Sequence, residues 1–226
     1  MARSLVDDST MIGSLRMIEL QLVGFIMVFS ASGLVSLFDL IFPAFASTYL
    51  LLLSLFAFPT SSSSSAVAVE INGSLLRLNA MLGTTVGLLL PLAYVLGGFA
   101  KGDEHAVRLA TPHLFLLSVQ ILTEKIIAGV STFSPPVRVM VPILYTVRRI
   151  FVVLDWVVHV LCVDGKKPLI SADYAFKDVA WVWFGKSLAV SNMAYLSLNL
   201  FGILIPRQLP AAFRRYFFVE KDEKNE

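Results

Sequence analysis

Apolar residues in this chain come in long runs rather than in the short alternations of a soluble fold, and polar or helix-breaking residues separate one run from the next. Six runs stand out, at 17–37, 38–58, 78–99, 107–127, 137–163 and 179–205. Each is close to the roughly 20 residues that carry an α-helix across about 30 Å of hydrocarbon. The pattern predicts an all-α fold, a polytopic transmembrane helix bundle of about six spans, in one membrane domain over 17–206. A short polar leader precedes it at 1–16. A basic, aromatic, cytosolic tail follows at 207–226, with Pro206 and Pro210 expected to end the sixth span.

The punctuation between runs is specific. Gly33, Ser36 and Asp39 supply the only plausible turn between the first two, which predicts a tight hairpin of two crossings, with a single re-entrant hairpin as the competing reading. PTSSSSSA at 59–66 opens a low-complexity loop that continues to Arg77, KGDEH at 101–105 is a charged turn, and Ser134-Pro135-Pro136 and the polar stretch 164–178 break the chain again. Gly83 and Gly87 stand four residues apart on one face of the third span, a spacing that allows close helix approach.

Composition sharpens the picture. AVILMFWYC residues make up 57% of the chain, charged residues 15%, and the mean hydropathy is +0.77, more apolar surface than a water-soluble fold can cover. A net charge of +2 is too small for a nucleic-acid partner. Cys162 is the single cysteine, so no intrachain disulfide and no all-cysteine metal centre can form. Asp7 and Asp8 in the leader, and the length of the first run, point to a retained span rather than a signal or transit peptide. Lysine and arginine flank the side that holds both termini ten times and the other side five times, which predicts cytosolic termini in an endomembrane or plasma membrane. The sequon at Asn72 then lies on the cytosolic side and stays unmodified.

Candidate chemistry concentrates in the last three spans. An ionisable side chain at a span centre costs roughly 2.5–3.5 kcal/mol, so it normally finds a partner or water. At 100° per residue Arg148, Asp155 and His159 fall within about 40° of one another, with Arg149 to one side. His113, Gln120 and Glu124 share a face of span four, and span six adds Lys186, Asn192 and Asn199. These ten residues form a candidate polar cleft between spans four, five and six, while an internal Arg148–Asp155 ion pair is the structural alternative. Arg214 and Arg215, beside Tyr216, Phe217 and Phe218, are expected to contact lipid headgroups. Asp155 and His159 are too few to hold a metal, no catalytic motif is present, and no cofactor is expected.

SASGLV at 30–35, PHLFLL at 112–117, RVMVPILYTVRRI at 138–150 and NLFGILIP at 199–206 give the chain a resemblance to a plant family of uncharacterised multi-span membrane proteins, a domain of unknown function. The resemblance implies a plant origin and a membrane location but no activity. It also implies a longer polar extension before the first span than the leader here provides. Two functional classes follow. The first is a non-catalytic membrane subunit or scaffold, whose partners are the lipid bilayer and other membrane proteins. The second is a small transporter or channel that passes a polar or anionic solute through the cleft.

Overall fold

The computed structural model of the chain describes residues 20–59, 73–130, 133–163 and 176–223. All regular structure among them is helical, and six helices occupy the six apolar runs. Helix α1 is Leu20–Ala31 and α2 is Leu37–Ala57, whose last five residues widen into a π-helical turn. Helix α3 runs through Gly73–Thr84, a π-helical turn at Thr85–Leu89, and Leu90–Lys101. Helix α4 is Glu104–Gly129, and α5 is Pro135–Val158 extended by a π-helical turn at His159–Val163. Helix α6 comprises Phe176–Leu198, a wide π-helical stretch Asn199–Gln208, and Leu209–Glu223.

Local chemistry explains the breaks. Gly33 takes a left-handed φ of 69° in the α1–α2 turn, a conformation glycine adopts without steric cost. Ser36 then caps α2: its Oγ accepts from the Asp39 N–H at 3.2 Å and donates to Asp39 Oδ2 at 2.6 Å, a variant of the capping box. Asp39, expected in the turn, therefore sits in the first turn of α2. Between α3 and α4 the connection is only Gly102 and Asp103. Gly102 ends α3 with φ 70°, and the Asp103 carboxylate caps α4 by accepting from the Ala106 N–H at 3.0 Å. So short a link holds the two helices antiparallel.

The sixth helix departs from expectation, since Pro206 and Pro210 do not end it. Each proline removes one N–H donor, and the wider π-helical stretch absorbs Pro206 and its clash with the preceding turn. The continuation packs on α5 and reaches the residues just after α2, where Phe58 meets the edges of Phe213 and Tyr216 at 5.4 Å, and the Tyr216 hydroxyl donates to the Pro59 carbonyl at 3.2 Å.

Helix α4 is the centre of the bundle. Residues 113–120 are buried without interruption, so neighbours surround it on every side. Helices α3 and α5 pack on it most extensively, and α5 in turn packs on α6. Helix α5 is two-faced: Val141, Tyr145, Arg149, Val153 and Trp156 point inward, while Val147, Phe151, Leu154, Val158 and Leu161 form an exposed apolar stripe. An aromatic stack of Trp156, Tyr94 and Trp181 ties α5, α3 and α6 together near the α3–α4 turn. Gly185 lies so close to Tyr94 that a methyl group there would collide with the phenol.

Four segments are long and apolar enough to cross a membrane: Leu37–Ala57, Arg77–Lys101, Glu104–Gly129 and Lys177–Phe218. Helix α1 is apolar but shorter among the described residues, and α5 carries Arg138, Arg148, Arg149 and Asp155. The leader at 1–16, residues 60–72 with Asn72 of the sequon, and most of the 164–178 connector lie outside the described residues, while the loop expected to continue to Arg77 is already helical from Gly73.

Candidate functional site

Two polar centres occur inside the bundle. The first surrounds Arg149, which is 4% exposed. Its Nη1 donates to Gln120 Oε1 at 3.1 Å, and the Gln120 amide donates to Glu124 Oε1 at 2.8 Å, so a neutral amide links a cation to a carboxylate. His113 lies on the other side. Its Nε2 is 2.9 Å from the Gly87 carbonyl, which can only accept, so Nε2 carries the hydrogen. The 3.4 Å approach of Arg149 Nη2 to the same nitrogen is then a contact between two donors rather than a hydrogen bond.

Sequence explains why Gly87 has a carbonyl to offer. In an α-helix its partner would be the N–H of residue 91, and Pro91 has none. The Gly83/Gly87 face admits α6 as well: a methyl group at Gly83 would lie 2.5 Å from the Tyr195 hydroxyl, and one at Gly87 3.6 Å from Arg149 Nη2. Asn199 accepts from the Asn79 amide at 3.1 Å and completes the tie between α3 and α6. Arg149 Nε, His113 Nδ1, Thr146 Oγ1 and Asn192 Oδ1 are buried and find no hydrogen-bond partner among the described residues.

The second centre is open. Arg148 donates through Nε to Asp39 Oδ1 at 2.9 Å, and its Nη2 lies 2.9 Å from the same oxygen. The Asp39 side chain is 4% exposed and that of Arg148 30%, so the pair sits at the wall of a space rather than in the core. That space is a notch of about 440 Å³ between the α1–α2 turn, α4 and α5. Leu34, Val35, Leu109 and Phe151 are apolar members of its lining, and Arg108, Arg148, Asp39 and Asp155 supply its charges.

A family model described as a domain of unknown function, DUF7733, matches residues 13–217. The chain belongs to this family. No curated protein and no solved structure matches it.

In this DUF7733 chain the ten cleft candidates do not line one open space. His113, Gln120, Glu124 and Arg149 come together in the first centre. Arg148 and Asp155 border the notch, but Arg148 bonds to Asp39 rather than to Asp155. His159 is exposed, its Nδ1 turned back 2.9 Å from the Asp155 carbonyl. Lys186 lies 5.7 Å over the Trp183 ring, and Asn192 donates to the Leu188 carbonyl within its own helix. Arg214 is exposed and Arg215 half-buried on the α6 continuation. Among the described residues no three His, Cys, Asp or Glu side chains gather as a metal site would require. Asp39, Asn79 and Arg108 are polar members absent from the expected cleft. The Ser36-x-x-Asp39 spacing was a usable signal for a helix start after Ser36, though not for the partner of Asp39.

Proposed function

We propose that this chain is an integral membrane protein of six crossings and plant origin, acting as a non-catalytic membrane subunit or scaffold with both termini cytosolic. One observation carries the reading: the polar side chains of α4 and α5 bond to one another around Arg149, within a helix buried on all sides at 113–120, instead of lining a passage. An intramembrane charge used this way fixes the register of neighbouring helices. The exposed apolar stripe of α5 and the large exposed residues Phe38, Phe45, Phe56 and Phe201 match a lipid surround and would be an aggregation hazard in water. Arg214 and Arg215 suit anionic headgroups at the cytosolic face.

The test has two arms. Alkaline carbonate extraction should leave the protein with the membrane pellet, and release into the supernatant would end the membrane reading. Reconstituted vesicles should pass ions and small anions no faster than protein-free vesicles. Flux above background that Arg149→Gln abolishes would replace the scaffold with a transporter or channel.

A further inference from the structure

The notch beside α1 and α2 has features that the scaffold reading does not use. Arg108 and Asp155 are exposed on its walls, and neither side chain has an ion-pair or hydrogen-bond partner among the described residues. Arg148 spends Nε and Nη2 on one oxygen of Asp39, which leaves Nη1 to donate elsewhere. Two arginines and two aspartates make the lining neutral overall but strongly divided in charge.

The backbone adds acceptors. Pro43 and Pro112 each stand four residues after a charged member of the lining, so the carbonyls of Asp39 and Arg108 lose their α-helical donors. Acceptors at Asp155, Asp39 and Arg108 thus accompany guanidinium donors at Arg108 and Arg148. Phe38 and Phe151, 82% and 56% exposed, continue the lining outward onto the apolar face of the bundle. A volume of about 440 Å³ lies within the roughly 300–1,000 Å³ typical of small-ligand sites.

We propose that the notch binds a phospholipid whose headgroup pairs a phosphodiester with a primary ammonium. The phosphodiester accepts from Arg108 and from the free edge of Arg148. The ammonium donates to Asp155 and to the proline-freed carbonyls, a role a quaternary ammonium cannot fill because it has no N–H. The acyl chains leave over Phe38 and Phe151. A purely anionic lipid would leave Asp155 uncompensated. This inference rests on the membrane reading, and carbonate extraction tests that reading separately.

The experiment is a native mass-spectrometry titration of the purified, delipidated full chain in detergent. The probes are phosphatidylethanolamine, phosphatidylcholine, phosphatidylglycerol and soluble glycerophosphoethanolamine. Phosphatidylethanolamine should bind most tightly, and Arg108→Gln and Asp155→Asn should each weaken it roughly tenfold, the worth of one charged hydrogen bond. Lys186→Gln, which lies outside the notch, should leave binding unchanged. Both notch residues are exposed, so an unaltered thermal midpoint will separate lost binding from lost folding. Equal binding of phosphatidylglycerol, or equal binding by the two notch variants and the wild type, overturns the site. Equally tight binding of the soluble headgroup overturns its assignment to a lipid.

Discussion

At the scale of single residues, the decisive fact is that adjacent arginines have opposite lives. One step along a helix is a rotation of about 100°, and it carries Arg149 into the core while leaving Arg148 at the rim of the notch. Gln120 is the hinge of the buried network, since it bonds to both Arg149 and Glu124. Gln120→Leu should destabilise the protein by about 2–3 kcal/mol, because a buried guanidinium loses a partner that leucine cannot replace. Gln120→Glu keeps an acceptor for Arg149 but cannot donate to Glu124, so it should recover only part of that stability, and thermal unfolding in detergent compares the two. The membership of this network was largely legible in the sequence, because His113, Gln120 and Glu124 recur at helical spacing. The Arg148 partner was not. Angular coincidence favoured Asp155, yet it cannot see a carboxylate on another helix, and Asp39 looked like part of a turn.

At the scale of elements, prolines rather than glycines shape the polar interior. Pro43, Pro91, Pro112 and Pro142 lie inside helices, where a proline removes the donor for a carbonyl one turn earlier, as Pro91 does for Gly87. His113 is therefore a substitute donor to the backbone of α3. His113→Leu should cost about 1–3 kcal/mol by leaving the Gly87 carbonyl buried and unpaired. In a Pro91→Ala background, where the helix can satisfy that carbonyl itself, the cost should shrink, and a double-mutant cycle on unfolding free energy measures the coupling. The apolar runs located all six helices, since runs of that length admit few alternatives. The end of α6 was misplaced because proline at 206 and 210 reads as a stop in sequence, whereas a widened turn and the packing of Phe213 and Tyr216 on Phe58 carry the helix onward.

At the scale of the whole molecule, the six crossings proposed above would place the far end of α5 on the side opposite the termini. Cys162 marks that end, is exposed, and is the only cysteine. A membrane-impermeant maleimide should label it in sealed vesicles only from the face that does not expose a C-terminal tag. Labelling from the tag's own face would require an even number of crossings between the two. The Arg148–Asp39 bond joins positions 109 residues apart, and this separation becomes an interval in time during synthesis. At roughly 5–20 residues per second, the aspartate precedes its arginine out of the ribosome by roughly 5–20 seconds. During that interval the nascent first hairpin holds an unmatched carboxylate, so a chain that stalls before the fifth helix should be a ready substrate for membrane quality control.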